Sequence, residues 1–313
     1  MNEITVGIKT FMRPHKLRGC LKSLVGLGFY EVIVADDGEI TPESKKVYEE
    51  FQKKLPLVVL RLPFDSGLAY GRNEIVKRCK TPFLLLLDDD QQVNKDILKL
   101  KKILLADSSL GGVSAFLIER GCLKCDAHNL IIKNGYLIKH LYQIPEPKKI
   151  DEIIYYICDQ IPNSTLFRIE CLRDHCWDNK FVIDKEHVDF YLSHKILGKW
   201  KFAVTPNIKI IHNPSESNGV DEKYKNQFRF NKSRLKASME YFLKKWKLKG
   251  IIEGRKLLVK YSPIAKVKIR LIDAGFPPIL ICLMESLKEE VKLSLSGTPV
   301  GKVLKKFYLS YFL

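Results

Sequence analysis

The chain has no long hydrophobic run. None of its apolar stretches approaches the ~20 residues that a membrane-spanning helix needs, so no spanning helix is expected. It shows no secretory leader pattern either, since Met1 runs directly into a β-rich stretch. Its eight cysteines are scattered, unlike those of a small disulfide-stapled domain, which predicts reduced thiols in a cytosol. Cys122 and Cys125 form a lone CxxC. Cys171, Cys176 and His128 are too irregularly spaced to complete a structural zinc site, so separate thiols are expected. Two phosphate-binding loops are missing. Gly26-Leu27-Gly28 lacks a third glycine and precedes a strand, and no GxxxxGK[ST] occurs. No nucleic-acid-binding motif is present. Acid is scarce overall: 53 Lys and Arg stand against 36 Asp and Glu, a formal net charge of +17 on 313 residues. Such a balance suits an anionic partner: nucleic acid, an acidic membrane surface or a phosphate-bearing substrate. The length allows one large domain or two smaller ones.

Where acid does occur, it is concentrated. Phe83 to Leu87 is a continuous apolar run, the mark of a strand covered on both faces, and it ends in Asp88, Asp89 and Asp90. Pro82 suits the start of that strand. Strand exits are where open α/β sheets bind ligands. Three adjacent carboxylates repel one another unless a cation neutralises them, and oxygens of this kind suit Mg²⁺ or Mn²⁺, with a substrate diphosphate supplying further ligands. On an extended backbone Asp88 and Asp90 point one way and Asp89 the other.

The preceding chain alternates strand and helix. Strands are expected at 4–10, 30–35 and 57–62, with helices at 15–27, 43–54 and 67–80, which predicts a mostly parallel sheet with right-handed crossovers. The second strand also exits into acids, Asp36 and Asp37, able to accept from a nucleobase N–H or a ribose hydroxyl. Thr10 and Arg13 share that edge. Arg72, near a helix start together with Asn73, can bond phosphate bidentately. Further on, a helix over 98–105, a strand over 111–118, a hairpin turning at Lys133-Asn134-Gly135 and a short helix over 169–175 are expected. Glu186, His187 and Asp189 crowd the first turn of a helix that runs to Leu197, where the helix dipole favours acids. Strands over 201–205 and 208–211 lead to His212, which at a strand exit beside the acids is a candidate third metal ligand with Asp88 and Asp90.

Taken in order, Lys9-Thr10-Phe11-Met12-Arg13, Ala35-Asp36-Asp37, Gly71-Arg72-Asn73, Asp88-Asp89-Asp90 and a late acidic helix start followed by a histidine resemble a GT-A glycosyltransferase of family 2 type. They are especially similar to β-1,4-N-acetylgalactosaminyltransferases, which also show a spacing like that of Asp159 and Asn163. The resemblance covers residues 3–215. It implies a GT-A, Rossmann-like sheet flanked by helices, and a metal-dependent, inverting transfer from a UDP-sugar, with GalNAc or another HexNAc or hexose as the sugar. By the same carry-over, Asp36 and Asp37 bind the uridine half, lined by Thr10 and Arg13. Asp88, Asp89 and Asp90 meet the ribose and the Mn²⁺ or Mg²⁺ diphosphate, completed by His212. Many family members have Glu-Asp where this chain has Glu186-His187, so the base is Asp189, Glu186 or His187, with Asp189 favoured.

The chemistry asks for an electrostatic clamp on the leaving UDP, supplied by a metal and Arg72, and one carboxylate as general base. Residues 1–217 are expected to form the catalytic domain and 218–313 a basic, mainly helical region, with a long helix over 224–249. Between Lys244 and Arg270 ten lysines and arginines face one acid, Glu253. Aromatic and basic residues mixed in this way suit an anionic membrane surface and a lipid-linked or glycan acceptor, hence a cytoplasmic protein peripheral to the inner face of the membrane. Pro277 to Met284 is too short to span, and a final helix is expected over 300–313. Two rivals differ in kind. A sugar nucleotidyltransferase would open with a glycine-rich phosphate loop, which Gly7-Ile8-Lys9-Thr10 is not. A non-enzymatic basic protein would bind nucleic acid or membrane through its charge, but the clustered acids would repel phosphates unless metal-loaded.

Overall fold

The computed structural model describes residues 3–214 and 225–282. The first half is the expected alternation. Strands β1 (Ile4–Thr10), β2 (Glu31–Asp36), β3 (Leu57–Arg61) and β4 (Phe83–Asp88) are parallel neighbours in the order β4-β1-β2-β3. Helices α1 (Pro14–Leu24), α2 (Pro42–Gln52) and α3 (Leu68–Arg78) connect them. Leu17, Leu21 and Leu24 of α1 are buried at helical spacing. Thr41 and Ser44 close a capping box on α2. Both faces of the sheet are covered: Phe83, Leu85 and Leu87 of β4 enter one core, and Leu84 and Leu86 the other.

The second half makes the sheet mixed. After β5 (Gln91–Gln92) and α4 (Leu100–Ala106) come β6 (Leu110–Glu119), β7 (Cys122–Lys124), β8 (Asn129–Lys133), β9 (Tyr136–His140), β10 (Lys148–Ile150), β11 (Ile153–Cys158), β12 (Thr165–Arg168), α5 (Ile169–Asp174), α6 (Glu186–Leu197) and β13 (Lys201–His212). β12 inserts antiparallel between β4 and β6, and β13 lies parallel to β6. The two strands expected over 201–211 are one. The register shifts between Thr205 and Lys209, at Pro206, which offers no N–H to a ladder. The β8–β9 hairpin turns at Asn134 and Gly135, both at positive φ.

The region from 218, expected to be basic and mainly helical, contributes a strand besides its helices and packs on the preceding residues. Its long helix begins at Lys232, not near 224, after a short π-helical turn at Lys225–Arg229, and ends at Trp246. β14 (Gly250–Glu253) then pairs parallel with β9, so residues from both sides of position 218 build a second sheet, β14-β9-β8. Phe242 is fully buried in the same core as Phe190 and Trp177. The helix Pro263–Asp273 packs Ile272 onto this small sheet. No helix among the described residues is long and apolar enough to cross a membrane. The helix expected over 300–313 and the last two residues of Pro277–Met284 lie outside the described residues.

Candidate active site

The exits of β1 and β4 lie side by side, with Lys9 opposite Asp88, and open into a cleft of about 490 Å³. β4 ends at Asp88, and the chain turns through Asp89 and Asp90. The strand alternation therefore stops one residue too early to send Asp89 to the other face, and all three acids line the same cleft. Asp89, fully buried, accepts from Thr10 Oγ1 at 2.7 Å and from Arg13 Nε at 3.3 Å. Arg13 Nη1 reaches Asp90 Oδ2 at 3.1 Å. Burial pushes the Asp89 carboxyl up to about 6, against the pull of Arg13. Burial also works to raise Asp88, but the guanidinium groups of Arg72 and Arg229 outweigh it and hold that carboxyl below its ordinary range.

Asp90 Oδ1 is buried and makes no hydrogen bond. His212 Nε2 stands 3.6 Å from it, and His212 Nδ1 lies 2.9 Å from Glu119 Oε2. Among the described residues no three His, Cys, Asp or Glu form a group that could hold a metal ion unaided. The donor chemistry does fit a hard cation that brings other ligands with it, because an orphaned carboxylate oxygen faces an imidazole nitrogen.

The second acidic strand end is divided. Asp37 lines the cleft, ion-paired to Lys9 and accepting from Gly67 N at 2.9 Å. Gly67 has φ 95°, and a Cβ there would meet Val182 O at 2.6 Å, so only glycine lets α3 start this close to the loop before α6. Asp36, expected on the uridine, is turned inward. It accepts from Tyr48 OH at 2.6 Å and Gly38 N at 2.9 Å and pairs with Arg61, off the cleft lining. The charged residue on β3 and the tyrosine on α2 satisfy it before any ligand arrives.

Arg72 and Asn73, expected on the donor phosphates, lie off the cleft lining. Arg72 is well inside α3, not at its start, and is buried behind the cleft wall. It donates to Asp88 Oδ1 at 3.2 Å and lies over the Trp177 ring at 5.4 Å. Asn73 donates to Trp177 O and Asn179 Oδ1, each at 2.7 Å, tying α3 to the loop ahead of α6.

That loop ends in two successive left-handed residues, Asp184 (φ 63°) and Lys185 (φ 67°). Non-glycine residues adopt this conformation at a cost, and here it aims Glu186 into the cleft. Glu186 is 6% exposed, and its Oε2 has no partner. Burial raises its pKa above the usual carboxylate range, with Arg72 opposing. Asp189, the favoured base from sequence, is not on the cleft. It is fully buried one turn along α6, bonded to Lys245 Nζ at 2.9 Å and Trp246 Nε1 at 2.8 Å. His187 is likewise off the lining. Its Nε2 donates to Ile161 O at 2.9 Å, and burial, then Arg72, push it down to about 3, so the ring is neutral at physiological pH.

Several cleft residues were not among the site candidates, although the resemblance marks the spacing of Asn163 from Asp159. Asn163 donates to Asp88 Oδ2 at 3.4 Å, while its own Oδ1 is unpartnered. Phe228, Arg229 and Arg234 reach the cleft from beyond 218. Phe228 packs on Phe11 and Phe64 at 5.3 and 6.0 Å between ring centroids, and Arg234 pairs with Asp65. An arginine in a run of basic residues carries no mark that distinguishes it from a solvated one.

Residues 5–119 match the family model described as glycosyl transferase family 2, which bears out the resemblance carried by the motifs. The chain is 36% identical over 92 residues to mouse Beta-1,4 N-acetylgalactosaminyltransferase 2, covering 28% of this chain and 16% of that protein. It is 35% identical over 79 residues to an uncharacterized glycosyltransferase of Haemophilus influenzae (25% and 30%). It is 31% identical over 104 residues to the Staphylococcus aureus poly(ribitol-phosphate) beta-N-acetylglucosaminyltransferase TarS (32% and 18%). These matches span less than a third of each relative's length. In fold, the chain is similar to S. aureus TarS 1–349 solved with UDP-GlcNAc, at TM-score 0.50 and 18% identity over 78% of this chain and 67% of that one. Residues 5–119 are thus similar to the family 2 glycosyltransferases, and the architecture around them is an α/β fold of the same kind as that of TarS 1–349.

Proposed function

We propose that this protein is an inverting glycosyltransferase that moves a sugar, GalNAc or another HexNAc or hexose, from a UDP-sugar to a hydroxyl of a glycan or lipid-linked acceptor. The observation that carries the reading is the pairing, in one cleft, of an unpartnered buried carboxylate on Glu186 with the Asp88–Asp90 edge and His212. A hydroxyl attacking a sugar carbon needs a base on one side of that carbon and charge stabilisation for the departing phosphate on the other. Glu186 is the general base in this reading, since it alone of the three candidates lines the cleft. Its raised pKa makes it a stronger proton acceptor than an ordinary carboxylate.

Asp90 and His212, with Asp88 beside them and the donor diphosphate completing the shell, would hold Mn²⁺ or Mg²⁺, which would supply Lewis-acid stabilisation of the leaving diphosphate. Arg72 does not touch the donor in this reading. It positions Asp88 and raises the local positive potential. Asp37, Thr10 and Arg13 frame the nucleotide half, and Lys9 holds Asp37 in place. With Glu186 as the base of a single displacement and no covalent intermediate in this reading, the outcome is inversion, so an α-linked donor gives a β-linkage. The relatives named for N-acetylgalactosaminyl and N-acetylglucosaminyl transfer support an N-acetylhexosamine donor. The basic C-terminal region supports work at an anionic membrane surface, on its cytoplasmic face.

The test is UDP release from a panel of UDP-sugars with Mn²⁺ or Mg²⁺, with and without EDTA. One donor should give metal-dependent release that is lost in Asp90→Asn and Glu186→Gln. No release from any donor, together with no UDP binding by calorimetry, overturns the reading.

A further inference from the structure

The helix Pro263–Asp273 has two unlike sides. Ile269 and Ile272 are buried, the latter against Tyr136, Ile138 and Ile252 of the small sheet. On the arc beside them Lys266, Val267 and Arg270 stand exposed. The chain then turns at Gly275, φ 76°, into Phe276-Pro277-Pro278-Ile279-Leu280. Ile281, next in the chain, is 2% exposed in the same cluster as Ile272, which pins the turn from below. Above it Phe276 is 46% exposed, Ile279 53% and Leu280 44%, with Val267 at 51% alongside. Scattered exposed apolar residues need no explanation. Three bulky ones within five residues, held outward by a buried neighbour, do.

We propose that this turn and the adjoining helix face dock on an anionic phospholipid surface, the apolar tip entering the headgroup–acyl boundary and Lys266 and Arg270 meeting lipid phosphates. Charge selects that occupant. From Gly254 to Cys282 the only acid is Asp273, and it is already engaged by Arg255 Nη2 at 2.5 Å and His140 Nε2 at 3.0 Å. A basic rim around an apolar tip complements anionic headgroups over hydrocarbon. The inference rests on the membrane-facing part of the reading above and gives it an address. It does not depend on the donor.

Vesicle flotation of the full chain tests it, using phosphatidylcholine alone or mixed with phosphatidylglycerol. The protein should float with the mixed vesicles and not with phosphatidylcholine alone. Phe276→Ser/Ile279→Ser/Leu280→Ser should weaken partitioning by ~10-fold or more, since each lost apolar side chain removes buried area at the interface. Lys266→Gln/Arg270→Gln should weaken it less and reduce its salt sensitivity. UDP release should be unchanged in both variants, which separates a failure here from a failure of the transferase reading. Equal flotation of the triple variant and the parent overturns the proposal, and so does no flotation of the parent. A parent dimer by light scattering that the triple variant splits, without vesicle binding, also overturns it and assigns the surface to a second copy of the chain.

Discussion

Glu186 and Asp189 are three residues apart on one turn of α6, both carboxylates, both buried, and both with pKa values raised chiefly by burial. Their surroundings are opposite. Asp189 points at the Lys232–Trp246 helix and is saturated by Lys245 and Trp246. Glu186 points at the cleft and keeps an oxygen with no partner. Burial alone thus says little about role. A carboxylate whose bonds are all made within the fold holds the fold together, whereas one left incomplete in a cavity is available to a ligand.

The sharpest way to break this comparison is to remove each charge in turn. Glu186→Gln should lower kcat by ~10²–10⁴-fold, the range for loss of a general base, with UDP affinity by calorimetry unchanged. Retained turnover in that variant would take the base role away from Glu186. The largest stability effect belongs to the other carboxylate. Lys245→Met leaves Asp189 buried without its cation and should cost about 3 kcal/mol in chemical denaturation, as breaking a buried ion pair does. Lys245 also bonds Asp178 at 2.8 Å, so both anions lose their cation. A cost under ~1 kcal/mol, the value of a surface pair, would show that the contact is not structural.

Next in size is the pH profile. Glu186 acts as a base only when ionised, and its pKa is raised, so activity should be present at high pH and lost as pH falls through that raised value. The acid limb of kcat/KM should then lie above the ~4.3 of an unperturbed glutamate, and it should vanish in the residual activity of Glu186→Gln. A limb at or below the ordinary value would contradict the environment described for Glu186.

How far the sequence could see follows from the same contrast. The four parallel strands were legible because a strand buried on both faces must be apolar throughout, and its exit is where the polar residues resume. Phe83 to Asp88 shows both features. The acidic edge was legible for the same reason. What could not be read was direction beyond the last strand residue: Asp89 stays on the site because the chain turns, and Asp36 leaves it because Tyr48 and Arg61 claim it. Neither partner is near in sequence. The role of the region after 218 was hidden more deeply, since β14 pairs with β9 across more than a hundred residues and a four-residue strand has no periodicity to detect.

Asp189→Asn is the smallest expected change and the one that decides between the two carboxylates. Asparagine keeps the shape and can still accept from Trp246 Nε1, and Lys245 keeps Asp178 as its counter-ion. Removing one charge from a fully buried site also removes its desolvation cost, which offsets the lost attraction to Lys245. Stability should therefore shift by less than ~1 kcal/mol, and kcat by less than ~2-fold, since only a change confined to the transition state would lower it further. A loss of ~10²-fold or more in kcat, with the fold and UDP affinity intact, would return the base to Asp189, because loss of a base has that magnitude and loss of a satisfied structural pair does not.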